Sequence, residues 1–151
     1  MFEVIVVGTD GSETANAAVV KAVELAATCG STLHVVHAQK LVSSSQMGSA
    51  ASVGAPTVDL ESVNKGIEAQ STAVCRHAAD FAERAGVKYE THIVSSDPAD
   101  ALIDVAEQVK ADVIVVGNRG MSGVKRFMLG SVPNKVAHHC PCSVLIVDTR
   151  Q

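Results

Sequence analysis

The sequence predicts an α/β fold: a doubly wound, five-stranded parallel sheet with helices on both faces. Three observations carry that expectation. Apolar runs of strand length alternate with segments of helical period along the chain. The runs VIVV at 4–7 and again at 113–116 are β-branched at successive positions, as in strands buried on both faces. Hydrophobic residues make up 47% of the chain, yet Trp is absent and there are one Tyr and three Phe, so the core falls to Val, Ala, Leu and Ile, which suits a sheet covered by helices. At 151 residues the expected organisation is one domain, 1–151.

The elements follow in order. Phe2 to Val7 reads as the first strand and ends in Gly8-Thr9-Asp10-Gly11-Ser12, a glycine-bearing turn at its carboxyl end. In open α/β sheets ligands bind at such ends where the strand order reverses, so Asp10 has two readings: a helix cap, shared with Ser12, or a ligand or metal-water contact. Ala15, Ala18, Val19, Ala22, Val23 and Ala26 give a helix from about Glu13 to Thr28, stopped by Cys29-Gly30. Leu33 to Ala38 is the second strand, and its His34 and His37 read as packed structural residues. From Leu41 to Gly66 the composition turns to Ser, Ala and Gly with almost no periodicity, which predicts a long flexible loop. Ile67, Ser71, Val74, Ala78 and Phe81 then mark a second helix that ends near Gly86, with Cys75 beside its stripe.

Lys88 to Val94 alternates, Tyr89, Thr91 and Ile93 opposing Lys88, Glu90 and His92, as in an edge strand with one wet face. Asp97-Pro98 opens a third helix with Leu102, Ile103, Ala106 and Val109 inward. The stretch from Ala111 to Val132 carries most of the information: strand Val113 to Val116, then Gly117, Gly120, Gly123 and Gly130 with Ser131 behind the last. Glycines allow close backbone approach, and the N–H groups of such a loop and of the next helix's first turn are donors for an anion. Arg119, Lys125 and Arg126 supply cationic side chains in the same segment. The spacing is neither a Walker A loop nor the dinucleotide G-x-G-x-x-G. A short helix through Val132, Val136 and Ala137 and a last strand, Ser143 to Val147, complete five strands and four helices.

Several classes are disfavoured. A net charge of −4 argues against a protein held to nucleic acid or an anionic membrane by its overall field. No run approaches a membrane span and the N-terminus lacks a signal-peptide pattern, so a cytoplasmic location is expected, with the four cysteines as reduced thiols. His138-His139-Cys140-Pro141-Cys142 has soft ligands, but no second pair stands at finger-like spacing and no metal site is expected there.

Gly117-x2-Gly120-x9-Gly130-Ser131 resembles the nucleotide-binding pattern of the universal stress protein family, in its ATP-binding branch. The opening VIVVGTDGSETA, the strand LHVVHA and the closing CPCSVLIV are similar to that family as well, so the resemblance covers nearly all of the chain except Leu41 to Gly66. It implies that Gly8, Thr9 and Asp10 line the adenosine end and the Ala38 backbone meets the adenine edge. Val116, Gly117 and Gly120 then stand beside ribose and phosphates, with Arg119 near, and Gly130, Ser131 and Val132 lie at the phosphates. One departure is Asp97, where the family usually has glycine. The implied function is a regulatory module in stress response that holds ATP or AMP with Mg2+, hydrolyses it slowly or not at all, and pairs as a homodimer through the last strand. An ATPase or nucleotidyl transferase using the same pocket, or an interaction protein with a structural nucleotide, are the alternatives.

Overall fold

The computed structural model describes residues 1–51, 54, 59–118 and 128–149. Ten elements follow one another: β1 (Val4–Gly8), α1 (Glu13–Cys29), β2 (Thr32–Ala38), α2 (Ser44–Ala51), α3 (Leu60–Arg84), β3 (Tyr89–Val94), α4 (Pro98–Val109), β4 (Val113–Gly117), α5 (Ser131–His139) and β5 (Ser143–Val147). The strands form one all-parallel sheet in the order β3-β2-β1-β4-β5. Chain order runs outward from β1 to β3 on one side and then from β4 to β5 on the other, so the direction of winding reverses between β1 and β4.

Strand residues of alternate parity feed two cores. Ile5, Val7, Leu33, Val35, Val113 and Val115 pack with α1 and α3 through Val19, Ala22, Val23, Ala78 and Ala82. Val6, Val36, Ile114 and Val116 pack with α4 and α5 through Ala101, Leu102, Val105 and Val136. Ile5, Leu33 and Ile114 are wholly buried, and each such side chain contributes about 1.5–3 kcal/mol through loss of apolar surface from water. The central strands are further clamped at their amino ends: Asp112 Oδ2 accepts from the amides of Glu3 at 2.7 Å and Val4 at 2.9 Å. Those two donors hold the Asp112 carboxyl below its ordinary range.

Two expectations are corrected, and one departure is explained. The stretch from Leu41 to Gly66 is not one loop, because it carries α2 and the first turns of α3. Asp59 starts α3 early, its side chain accepting from the Glu61 amide at 3.3 Å, and the first turns are too polar to show a periodic stripe. The described residues therefore carry five helices rather than four. The alternation expected of β3 also fails, since Ile93 is 40% exposed while His92 is half-buried. At Asp97 a glycine is not required: the backbone is extended at φ −61°, and the carboxylate caps α4 by accepting from the Ala99 amide at 3.2 Å.

Before β5, Cys140 Sγ lies 3.5 Å from Cys142 Sγ and donates to the Cys142 carbonyl at 2.8 Å. Burial and the adjoining Cys140 thiol push the Cys142 thiol up to about 12. No helix among the described residues is long and apolar enough to cross a membrane.

Candidate functional site

The reversal of winding places the carboxyl ends of β1 and β4 side by side, with Val7 paired to Val115. What leaves each strand end differs. After β1 the turn is closed by its own hydrogen bonds. The Thr9 amide donates to the Val36 carbonyl at 2.9 Å, and His37 Nδ1 lies 2.9 Å from the Thr9 carbonyl, which fixes that nitrogen as the protonated donor. Thr9 Oγ1 accepts from the Gly11 amide at 3.2 Å and Asp10 Oδ1 from the Ser12 amide at 2.9 Å. Gly11 has φ +78°, a conformation that side chains disfavour. Ser12, not Asp10, is the N-cap of α1, its hydroxyl accepting from the Ala15 amide at 3.2 Å. Asp10 is left exposed at the lip.

After β4, Asn118 acts as a joint. Its amide donates to the Val147 carbonyl at 2.9 Å and its carbonyl accepts from the Gly130 amide at 3.0 Å. Its side chain holds Asp148 Oδ1 at 3.0 Å and takes the Thr149 hydroxyl at 2.8 Å. The loop is thereby pinched shut at its base, and Gly130 is set down as the N-cap of α5. That cap carries no side-chain hydrogen bond. The first N–H groups of α5 are left for something other than a capping side chain, and the helix dipole adds partial positive charge at that point.

Between these two turns lies a cleft. The structure brings to it Gly8, Thr9 and Asp10 from the first turn, Ala38 from the end of β2, Val116 and Gly117 from the end of β4, and Gly130, Ser131 and Val132 from the start of α5. Arg119 and Gly120, with Lys125 and Arg126, lie outside the described residues. Among the described residues lining the cleft there is no lysine or arginine, and Asp10 is the single carboxylate. Ala15, Val36, Pro98, Leu102 and Pro133 line it as well and had not been read as site residues. Their sequence signal is that of a core, because Val36 and Leu102 sit on the inward stripes of β2 and α4. A ligand wall and a packed core use the same residue types. Gly8 owes its identity to one of them: a Cβ there would meet Leu102 Cδ1 at 3.0 Å. A mostly apolar cleft with a few convergent polar groups is the form of a small-molecule site.

Comparison with known proteins agrees with this architecture. The model of the universal stress protein family matches residues 1–148. Universal stress protein YxiE of Bacillus subtilis is 31% identical over 147 residues, covering 97% of this chain and 99% of its own. Universal stress protein Rv1636 of Mycobacterium tuberculosis is 33% identical over 149 residues, covering 98% and 97%. Among solved structures, a universal stress protein in complex with cAMP superposes with a TM-score of 0.73 at 35% identity, over 99% of this chain and 98% of that one. With a family model spanning nearly its whole length, the chain belongs to the universal stress protein family.

Proposed function

We propose that this protein binds an adenine nucleotide, ATP or AMP, with Mg2+ in the cleft between β1 and β4, and acts as a cytoplasmic regulatory module in stress response. The observation that carries the reading is the start of α5, where a glycine N-cap leaves helix N–H donors without a capping side chain among the described residues, at the mouth of an apolar cleft. The apolar walls, Val36, Leu102 and Val116 among them, suit a purine and ribose, and the backbone at Ala38 offers the adenine edge its hydrogen bonds. The Ser131 hydroxyl and amide suit phosphate oxygens. Asp10 suits Mg2+, which keeps most of its shell as water and phosphate oxygen and takes one or two protein carboxylates. The charge of a polyphosphate falls to Arg119, Lys125 and Arg126 of the loop that begins two residues after β4. Bound nucleotide supplies a transferable phosphoryl group, yet the described lining holds no base placed to orient a water, so turnover lies far below the ~1–100 s⁻¹ of kinases. Assembly follows from the sheet order: β5 is an edge strand with Leu145 and Ile146 40% and 38% exposed, and two copies pair these edges.

A second reading has its own support, since the structural neighbour at 35% identity was solved with cAMP. Titration calorimetry with ATP, AMP, cAMP and GTP on the nucleotide-free protein separates them. The proposal expects Mg2+-dependent ATP binding with GTP much weaker. Absence of heat at millimolar ATP, or equal affinity for GTP, overturns it, and cAMP binding far tighter than ATP replaces it with the cyclic ligand.

A further inference from the structure

A second cluster of chemistry lies at the opposite side of the sheet from the β5 edge, on residues that the cleft does not use. β3 is the edge strand beyond β2, and their parallel register sets His34 against Glu90 and Val36 against His92. Partners in parallel strands, and residues two apart on one strand, share a face. His34, Glu90 and His92 therefore share the face on which Val36 packs with α4. Their side chains converge. His34 Nδ1 is 2.9 Å from His92 Nε2 and 3.7 Å from Glu90 Oε2, and one ligand atom from each residue falls within 4.8 Å of the others.

The burial gradient across the three is that of a half-sunken site. His34 is 6% exposed, His92 is half-buried and Glu90 is exposed. The rigid end of the set is thus packed in the sheet, and the carboxylate can adjust from the solvent side. Ligand distances of 2.0–2.2 Å in a tetrahedron put neighbouring donor atoms about 3.3 Å apart. The observed 2.9 and 3.7 Å bracket that value for the two pairs that include His34, and the third pair lies within 4.8 Å. Two imidazoles and a carboxylate are a donor set of intermediate softness, matched to first-row transition ions rather than to Mg2+ or Ca2+.

We propose that His34 Nδ1, Glu90 Oε2 and His92 Nε2 bind a divalent first-row transition ion, zinc foremost, with a fourth position open to water. Binding moves the proton held between the two facing nitrogens to the donor ring's other nitrogen, so both imidazoles stay neutral, and it joins the edge strand to β2. Burial lowers the proton affinity of the His34 ring. None of the three residues lines the cleft, and the site is independent of nucleotide.

The test is equilibrium dialysis of the whole chain against zinc chloride, without nucleotide because ATP chelates the ion. Wild-type protein, Glu90→Gln, His92→Ala and Cys142→Ser are compared after circular dichroism confirms each fold. The expected result is one zinc per chain, at least ten-fold weaker in Glu90→Gln and His92→Ala and unchanged in Cys142→Ser. Cobalt in place of zinc gives a visible d–d spectrum without a thiolate charge-transfer band. No zinc at stoichiometric protein, affinity that survives both Glu90→Gln and His92→Ala, or a cobalt–thiolate band lost in Cys142→Ser each overturns the proposal, the last assigning the metal to Cys140 and Cys142.

Discussion

The two strand-to-helix turns that face each other across the cleft begin alike and end differently. Both leave a VIVVG strand at a glycine. The turn from β1 to α1 satisfies its own polar groups with Thr9, Asp10, Ser12 and His37, and α1 is capped by a hydroxyl. Among the described residues, the turn from β4 to α5 is closed at its base by Asn118, and α5 starts at a bare glycine. The closed turn is a wall whose shape does not depend on a guest. The other has donors to give at the start of α5. Binding power and stability are thus divided between the two halves, and they separate under mutation.

Gly130→Asp makes the sharpest separation. Gly130 has φ −60°, so a carboxylate side chain fits there without backbone strain and caps α5. The same carboxylate opposes phosphate. ATP affinity falls about hundred-fold, about 2.7 kcal/mol, while the melting temperature holds or rises. A variant that keeps wild-type affinity by calorimetry breaks the division. His37→Ala acts on the other side. The buried Thr9 carbonyl loses its donor, and denaturant titration should show about 1–3 kcal/mol lost from stability. A loss under about 0.5 kcal/mol would mean that the Thr9 amide alone holds the wall.

The smallest effect lies at the far end of the same two strands. Backbone donors lower the folded pKa of Asp112 below its ordinary value, so the unfolded chain binds the proton more readily. Its contribution is therefore present above the unfolded pKa of about 3.9 and is lost as pH falls through the lower folded value. The difference in melting temperature between wild type and Asp112→Asn should shrink from pH 6 toward pH 3. A gap that stays constant or widens with acid assigns the wrong group.

The strands and the two glycine-bearing turns were legible because their signals are local: β-branched runs, a glycine, a capping residue. What escaped were features set by neighbours. The α3 start escaped because Asp59 fixes it through hydrogen bonds from the Glu61 amide and the Ser62 hydroxyl while Glu61, Asn64 and Lys65 conceal any apolar stripe. Ile93 and His92 exchanged their expected exposures because the register sets His92 beside Val36 on the face where α4 packs, which the pattern within β3 alone does not reveal. Asp97, a departure from the family's usual glycine, is a cap in ordinary extended backbone. Leu102 looked like core, which it is, and its other side faces the cleft. His34 and His92 stand 58 residues apart, and only the parallel register makes them neighbours.

The central position of β1 also governs the order in which the cleft can be assembled during synthesis. β1 meets β2 as soon as the segment through β2 has been made, so Gly8, Thr9 and Ala38 can take their places early. Its other neighbour is far off along the chain: the contact from Val4 to Asp112 spans 108 residues. Closing that span is slow and must wait for the C-terminal third of the chain to leave the ribosome. The half of the cleft bearing Gly117, Gly130 and Ser131 is therefore the last part of the sheet to form. A nascent chain has one wall and no site, and ligand can favour only the finished fold.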